Sequence, residues 1–257
     1  MQAFFQKIVA FFLSALAFFG LVKPNTPKPV EITVMTFNVQ HFENMKTGQI
    51  DMEAYASFIR ESGASVVGLN EVFVDQLDEL AKMLGWNSFF ACGCDFDGRQ
   101  YGNGIVTCLP LLETEAVPIP DPEIRSYDGY YESRVLIKCT VDVDGKKLHI
   151  ICTHFGLNPD EAENAVNTVL ANIQNEHQIL MGDLNLLPDD PLLAPIRRQM
   201  CDTAPLLGEN CLTFPSDAPD RKLDYILVSS DLTATAADVP PLELSDHRPY
   251  RCTVQIY

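Results

Sequence analysis

The chain has 257 residues, of which 47% are hydrophobic and 21% charged, with 17 prolines and 14 glycines. This composition is that of a globular protein, and it excludes a disordered, collagen-like or coiled-coil chain. The formal net charge is −17, and because the first 30 residues hold three lysines and no acid, the remaining 227 carry −20. A body this acidic has no broad electrostatic surface for a polyanion.

The N-terminal 22 residues differ from the rest of the chain. Residues 8–22 form an uncharged apolar run of 15 residues between Lys7 and Lys23. A membrane-spanning helix needs about 20 apolar residues. The run therefore fits the apolar core of a signal peptide better, and the Ala-Leu-Ala sequence at 15–17 offers a cleavage site. An uncleaved N-terminal membrane anchor and a buried helix are the alternatives. We expect an exported protein, secreted or held in the cell envelope, and exclude residues 1–22 from the fold.

Residues 23–30 are rich in proline and are interpreted as an extended spacer. Residues 31–257 then form one mixed α/β domain, in which short apolar runs alternate with turn signals. The runs predict strands at residues 32–39, 65–69, 104–108, 134–143, 147–153, 178–182, 223–228 and 250–256. Several of these are apolar on both faces, as in sheets that are covered on each side. The sequence DVDG at 142–145 predicts a hairpin turn.

Three helices are predicted. The clearest covers residues 160–175, where apolar side chains recur at helical spacing. Asn158 as N-cap, Pro159 at the first position and Glu161 at the third mark its beginning. Residues 51–60 and 74–84 are the other two.

The eight cysteines give few firm predictions. Three lie in predicted strands, where a free cysteine usually acts as a small hydrophobic residue. The CGC sequence at 92–94 resembles half of a zinc site, but no second cysteine pair or nearby histidine completes it. Cys201 and Cys211 lie in a predicted loop region, and in an exported protein a disulfide between them is a hypothesis.

Polar side chains stand where most of the buried strands end or begin. They are Asn38, Glu71, His154, Asp183, Asn185, Asp224, Asp246 and His247. Taken alone, each also fits an ordinary turn or strand cap. Together they can converge on one rim of a sheet sandwich, where burial without partners would be costly, so they must pair with one another or with a metal. Oxygen ligands with asparagine and histidine, and without thiolates, suit Mg²⁺ or Mn²⁺ acting on phosphates.

Seven short segments follow one another in a characteristic order. They are TFNVQHF (36–42), GLNEV (68–72), ESR (132–134), THFGLN (153–158), GDLN (182–185), LDYILVS (223–229) and SDHRP (245–249). In these segments the chain resembles the endonuclease/exonuclease/phosphatase family, of the deoxyribonuclease I type. The resemblance implies a four-layer α/β/β/α sandwich of two mixed β-sheets flanked by helices, with the active site at one end of the sheets.

The resemblance also implies roles for the matched residues. Glu71 resembles the principal metal carboxylate of the family, with Asn38 and Asp246 supporting the metal. His247 resembles the histidine that takes a proton from the attacking water, and Asp224 resembles the carboxylate that orients it.

On the phosphate side, Asp183 and Asn185 resemble the pair that positions the nucleophile and a phosphate oxygen. His154 resembles the histidine that donates to the phosphate oxygens as charge develops. Arg134 is placed like the family's phosphate-binding arginine, and we expect Glu132 to pair with His154.

This set of residues fits hydrolysis of phosphate esters without a covalent intermediate. A Mg²⁺ ion on Glu71 would act as a Lewis acid. A histidine held by a buried aspartate has the tautomer and basicity of a general base. No serine or cysteine stands in a nucleophile motif. At position 70 the family more often has glutamine, and Asn70 keeps a side-chain amide there.

The resemblance leaves the substrate open between nucleic acid and lipid head groups, because the fold and the catalytic core are shared among several activities. The acidic body argues against tight non-specific binding of nucleic acid. Residues 125–131 (RSYDGYY) are the best candidate for a loop that contacts substrate. A phosphomonoesterase of the inositol-phosphate type and a non-catalytic binding protein are the alternatives. We expect a monomer, with membrane association through residues 1–22 if that segment is retained.

Overall fold

The computed structural model describes residues 28–174, 176–208 and 211–257. Residues Val30–Ile256 form one compact unit. The predicted signal or anchor segment and most of the spacer lie outside the described residues. Across the described ranges, no helix has the length and apolar character needed to cross a membrane.

Most of the unit is β-structure. The strands of the described residues are β1 (Val30–Asn38), β2 (Glu43–Asn44), β3 (Gln49–Ile50), β4 (Val66–Phe73), β5 (Asn87–Phe96), β6 (Arg99–Thr107), β7 (Leu111–Pro118), β8 (Val135–Val143), β9 (Lys146–His154), β10 (Gln178–Asp183), β11 (Cys201–Asp202), β12 (Asp224–Val228), β13 (Thr233–Asp238) and β14 (Tyr250–Ile256). The first large sheet has the order β13-β14-β1-β4-β6-β5, and the second has the order β11-β12-β10-β9-β8-β7. Strands β2 and β3 form a small separate hairpin.

Helices cover the outer face of each sheet. They are α1 (Met52–Glu61), α2 (Val74–Leu84), α3 (Pro159–Asn172) and the short α4 (Ala194–Arg197). Apolar side chains of α1 and α2 pack on the first sheet, and those of α3 and α4 pack on the second. A third apolar cluster fills the space between the sheets. The predicted α/β/β/α sandwich is therefore confirmed.

Alternating side chains explain why the central strands are apolar throughout. In β4, Val66 faces the space between the sheets, while its neighbour Val67 faces the helices. In β10, Ile179 likewise faces the space between the sheets, while Leu180 faces the helices. Since each such side chain contributes about 1.5–3 kcal/mol when fully buried, a strand covered on both faces needs apolar residues at every position.

All eight predicted strands and all three predicted helices are present, with small differences at their ends. The helix predicted over 160–175 ends at Asn172, because Ile173 takes an extended conformation. Its N-terminus is as predicted, with a capping box formed by Asn158 and Glu161. The predicted hairpin turn joins β8 to β9, and Asp144 and Gly145 both have positive φ.

Sequence patterns missed β5, β7 and β13, which are edge strands of the two large sheets, and the two-residue strands β2, β3 and β11. Strand β7 is largely exposed, so it lacks the apolar run that identifies a buried strand. All eight cysteines are free thiols, including Cys201 and Cys211, so the hypothetical disulfide is absent from this structure.

The register places the predicted polar strand ends side by side. In the first sheet, β1 and β4 are parallel and Asn38 lies next to Asn70. In the second sheet, Asp183 lies between His154 of the parallel strand β9 and Asp224 of the antiparallel strand β12. The two sheets therefore present these ends at one edge of the sandwich, which we call the catalytic rim.

Candidate active site

Glu71 occupies an irregular position of β4. The pairing of β4 with β6 shifts register between Asn70 and Val72, and Glu71 has a φ of 61°. It is the extra residue of a β-bulge, a device that redirects a side chain out of the regular ladder. The Glu71 Oε1 atom accepts a hydrogen bond of 3.0 Å from Asn38 Nδ2. The same amide nitrogen donates over 3.2 Å to Asp183 Oδ2, so Asn38 connects carboxylates of both sheets.

Asp246 lies in the electrostatic field of Glu71. Burial raises the pKa of Asp246, and the negative charge of Glu71 raises it further, although His247 opposes the rise. Its Oδ1 accepts a hydrogen bond of 3.1 Å from Ser245. Two carboxylates and the Asn38 amide are hard oxygen donors, and their mutual repulsion would be relieved by a divalent cation. This donor set fits Mg²⁺ or Mn²⁺.

His247 and Asp224 form a buried pair. His247 Nδ1 lies 2.8 Å from Asp224 Oδ2, which fixes the ring orientation and leaves Nε2 facing Asp183 Oδ2 at 3.5 Å. Phe214 packs on the imidazole with ring centroids 4.7 Å apart. Burial alone would lower the pKa of His247, but the charges of Asp224, Asp183 and Asp246 outweigh it and raise the pKa to about 10.

Asp183 stands at the centre of the site. Its Oδ2 is 3.5 Å from Nε2 of both His154 and His247. Its Oδ1 accepts a hydrogen bond of 2.9 Å from the Asn185 backbone. Burial raises the pKa of Asp183, and Asp224 adds to the rise while His247 opposes it. The raised pKa allows the Asp183 carboxylate to exchange a proton with its neighbours.

His154 differs from His247 in its protonation. Arg134 Nη1 lies 2.9 Å from His154 Nδ1. Because a guanidinium only donates, Nδ1 must accept and the ring proton is on Nε2. Burial, the charge of Arg134 and the charge of His247 all lower the pKa of His154 far below its ordinary value. The neutral imidazole directs this N–H towards Asp183 Oδ2 at 3.5 Å, while the nearby Asn185 Nδ2 donates to the Phe155 carbonyl oxygen over 3.1 Å.

Glu132 lies against Arg134 and not, as the sequence led us to expect, against His154. The Glu132 Oε1 to Arg134 Nη1 distance is 3.0 Å, and Arg134 stands between Glu132 and His154. The reason is electrostatic, since a carboxylate is attracted to a permanent cation and not to a neutral imidazole. Among the described residues, the buried Nε of Arg134 has no hydrogen-bond partner, so the guanidinium keeps a free donor.

Two residues support the site from below: sequence analysis noted the Asn70 amide without giving it a role, and it missed Asn103. Asn70 Oδ1 accepts from the Asp183 backbone N–H over 3.0 Å, and its Nδ2 donates to Asn103 Oδ1 and to the Thr153 carbonyl. Asn103 in turn donates to the Val135 carbonyl over 2.8 Å. These two buried amides join the sheets beneath the reacting centre. Asn103 stands between two glycines, next to the apolar run that begins at Ile105, and that is the one signal that would have found it.

Lys222 is a second support that the sequence did not reveal. The side chain is buried, and its Nζ lies 2.9 Å from the centroid of the Tyr225 ring and 3.2 Å from the Asp224 carbonyl oxygen. It therefore fixes the backbone that carries Asp224.

Contacts within hydrogen-bond or ion-pair distance join nine of the ten predicted site residues into one network at the catalytic rim. Asp246 acts on Glu71 and His247 through its charge. Within the described residues, Asp183, Asp224 and His247 also offer ligand atoms that lie within 4.8 Å of one another. Asp224 and His247 already satisfy each other through the 2.8 Å contact. The acidic centre as a whole is suited to a divalent cation.

Such a sandwich, with histidines, carboxylates and an arginine at one end of its sheets, defines a class of hydrolases that act on phosphate esters. A profile of the Endonuclease/Exonuclease/phosphatase family matches residues 35–247, and the chain belongs to this family. The resemblance found in the sequence is thereby confirmed. No curated protein matches the chain.

Solved structures show the same fold at low identity. An endonuclease/exonuclease/phosphatase from Beutenbergia cavernae is 21% identical with a TM-score of 0.72, over 88% of this chain and 72% of that one. A mannosyl-6-phosphatase from Bacteroides thetaiotaomicron is 17% identical with a TM-score of 0.71, over 87% and 99%. D. rerio TDP2, complexed with a single-strand DNA product, is 20% identical with a TM-score of 0.68, over 87% and 98%.

Proposed function

We propose that the chain is a metal-dependent phosphodiesterase in which water attacks phosphorus directly. One observation carries the proposal: a single carboxylate oxygen of Asp183 lies 3.5 Å from two buried imidazoles, His154 and His247. The pKa of His154 is lowered and that of His247 is raised. Titratable groups whose pKa values are pushed apart by their surroundings are typical of acid–base pairs in active sites.

On the nucleophile side, His247 is the general base. Asp224 accepts from Nδ1 and so directs Nε2 into the site. The ring can take a proton from the attacking water only in its neutral form, and a bound cation would favour that form, because it would offset the carboxylate charges that raise the pKa of His247. Asp183 and Asn185 position that water and one phosphate oxygen.

On the phosphate side, His154 and Arg134 are hydrogen-bond donors. The neutral His154 offers its Nε2–H, and the Arg134 guanidinium supplies positive charge beside it. Donors that are already oriented stabilise the charge that develops on phosphoryl oxygens in the transition state.

Glu71, Asn38 and Asp246 would hold the metal, for which Mg²⁺ or Mn²⁺ is the proposal. A bound divalent cation supplies Lewis-acid stabilisation of the phosphate and the leaving oxygen. The remaining positive charge at the site is modest, because Arg134 is partly neutralised by Glu132 at 3.0 Å. This modest positive charge favours binding of a singly charged phosphodiester over a doubly charged phosphomonoester.

We also propose that the protein is exported. Support comes from the sequence alone, in the apolar run at residues 8–22.

The proposal is tested with the full chain on bis(p-nitrophenyl) phosphate and p-nitrophenyl phosphate, with Mg²⁺, Mn²⁺ or a chelator. We expect metal-dependent hydrolysis of the diester that falls at least about 100-fold in Glu71→Gln and in His247→Asn. His177→Asn is the matched control, because His177 pairs with Asp231 at 3.3 Å outside the site. It should retain the wild-type rate.

Three results would contradict the proposal. A wild-type rate in His247→Asn would remove the general base from the mechanism. Hydrolysis of the monoester alone would identify a phosphomonoesterase. No hydrolysis of either ester by well-folded protein would favour a non-catalytic binding protein.

A further inference from the structure

Tyr101 is a buried aromatic residue that reaches the catalytic rim from β6. Side chains alternate along a strand, so Tyr101, Asn103 and Ile105 point to the same face of the first sheet. Ile105 packs between the two sheets, and Asn103 donates to the Val135 carbonyl of β8 in the second sheet. Tyr101 therefore points into the space between the sheets, at the end where the site lies.

The backbone that carries Tyr101 is tightly constrained. Both strands beside β6 contain an extra residue at this level, which is Glu71 in β4 and Gly93 in β5. A Cβ at Gly102 would lie 2.1 Å from the Ala91 carbonyl oxygen, so β6 approaches β5 closely right next to Tyr101. Tyr101 is thus held beside the bulge that carries Glu71.

Three other rings surround the Tyr101 ring. Its centroid lies 5.1 Å from that of His41, 5.4 Å from that of Phe73 and 5.8 Å from that of Phe96. Ring pairs about 4.5–7 Å apart attract each other beyond the effect of apolar burial. These contacts restrict the ring, and they therefore restrict the position of its hydroxyl group.

A strained turn places His41 against the Tyr101 ring. Residues 40–42 all have positive φ, between 42° and 61°. Such conformations are strained in residues other than glycine, and they are concentrated at functional sites. Gln76 Nε2 donates over 2.7 Å to the His41 carbonyl oxygen and holds the turn. The turn follows Asn38 almost directly, so the strained backbone links that proposed metal ligand to the ring contact of Tyr101.

The hydroxyl group of Tyr101 lies among charged residues of the site. Tyr101 lines a small cavity together with Glu132, Arg134 and His154. Burial and the negative charges of Glu71 and Glu132 raise the pKa of Tyr101, and a hydrogen bond between the phenol and the Glu71 carboxylate raises it further. The positive charge of Arg134 opposes the rise. The phenol therefore stays protonated, and it is the donor in the hydrogen bond with Glu71.

We propose that Tyr101 is a positioning residue that orients the Glu71 carboxylate for metal binding. The proposal rests on the proposed function, in which Glu71 holds the metal. Strand β4 lies between β1 and β6, so Asn38 donates to Glu71 from one neighbouring strand and Tyr101 donates from the other. A residue at a bulge lies outside the regular ladder, and two donors are then needed to fix its carboxylate. Hydrogen-bond partners of a metal ligand typically change metal affinity by about 10–100-fold.

The test measures Mn²⁺ binding to the full chain by isothermal titration calorimetry, without substrate. Tyr101→Phe keeps the ring and its aromatic contacts and removes only the hydroxyl group, and we expect its Kd for Mn²⁺ to rise at least about tenfold. Tyr250→Phe is the matched control, because Tyr250 is a buried tyrosine of the same sheet whose hydroxyl group pairs with Thr203. Its Kd should equal that of the wild type. An unchanged Kd in Tyr101→Phe, or an equal rise in both variants, would overturn the proposal.

Kinetics separate positioning of Glu71 from a direct contact with substrate. If Tyr101 acts through Glu71, saturating Mn²⁺ should return kcat of Tyr101→Phe for bis(p-nitrophenyl) phosphate to within about twofold of the wild-type value. A kcat that stays at least about tenfold low at saturating Mn²⁺ would overturn the positioning role. Wild-type protein that binds no Mn²⁺ would contradict both the proposed metal site and this inference. Weaker Mn²⁺ binding in Tyr101→Phe, in a protein that hydrolyses no phosphate ester, would support the positioning role and contradict the proposed function.

Discussion

His247 Nδ1 lies 2.8 Å from Asp224 Oδ2, and both side chains are buried. Asp224 opens β12, while His247 belongs to the segment that leads into β14, so strands of two different sheets supply this pair. Lys222 holds the Asp224 backbone and Phe214 packs on the imidazole. The orientation of His247 is thus determined by contacts on several sides.

Removing the charge of Asp224 should impair turnover more than substrate binding. In Asp224→Asn the ring loses the negative charge that raises its basicity, and the amide can also present its donor nitrogen to Nδ1. We therefore expect kcat for the diester to fall about 100-fold or more, with KM little changed. Steady-state kinetics measure both constants. Asp231→Asn, which removes the carboxylate beside His177, is the control and should leave kcat at the wild-type value. An equal loss in both variants would argue against a specific role for Asp224.

Gly182 should tolerate no side chain. It has a φ of 146°, and a Cβ there would lie 1.8 Å from the Thr153 carbonyl oxygen of the neighbouring strand. We expect Gly182→Ala to lower the free energy of unfolding by about 2–4 kcal/mol, measured by urea denaturation. Gly63→Ala is the control, because Gly63 has a φ of 73° but no atom within 4 Å of the new Cβ. It should cost only about 1 kcal/mol, and an equal loss in both variants would exclude the steric explanation.

The buried Lys222 should make stability depend on pH. Burial lowers the pKa of Lys222 from 10.5 to about 8, against the opposing charge of Asp202. Between these values the unfolded chain binds more protons than the folded one, so the free energy of unfolding contributed by this group rises with pH. The free energy of unfolding of the wild type minus that of Lys222→Met should therefore become more positive by about 2 kcal/mol from pH 8 to pH 10. The same comparison for the exposed Lys147→Met should not change with pH. A constant difference for Lys222→Met would contradict this prediction.

A divalent metal should stabilise the folded protein without any substrate present. A ligand that binds only the folded state adds about 2.7 kcal/mol at 100 times its Kd. We therefore expect Mn²⁺ or Mg²⁺ to raise the thermal midpoint of the wild type, measured by calorimetry. Glu71→Gln should lose most of this shift, while Glu79→Gln, an exposed carboxylate of α2, should keep it. An undiminished shift in Glu71→Gln would place the metal elsewhere.

Much of the site could be predicted from local patterns. Apolar runs followed by a polar residue located Asn38, His154 and Asp183 at strand ends, and the structure confirms those positions. Glu71 lies instead at a bulge inside β4, which continues to Phe73. The one wrong pairing, Glu132 with His154, came from a short segment whose contacts depend on the tertiary structure and not on the neighbouring sequence. Arg134 lies close to both Glu132 and His154. The Glu132 carboxylate contacts Arg134 because the guanidinium carries a permanent positive charge.

The supporting residues illustrate what local patterns leave out. Asn70 and Asp183 are 113 positions apart, yet one backbone hydrogen bond of 3.0 Å joins them. Nothing in either segment specifies the other as its partner. The edge strands β5 and β7 were missed for a related reason, because their hydrogen bonds to neighbouring strands, and not an apolar run, define them.

The sequence by itself determined the types of elements and most of the residues that stand at the ends of buried strands. These features depend on the spacing of apolar side chains and on polar residues at the ends of those runs, which are local properties of a chain. The sandwich class was implied by the resemblance of seven short segments to a known family. Only the tertiary structure decided that two histidines of the same site have opposite pKa shifts, and that Arg134 stands between Glu132 and His154. Both outcomes depend on which distant charges and loops the fold brings together, and the free energy of a buried charge is set by those neighbours.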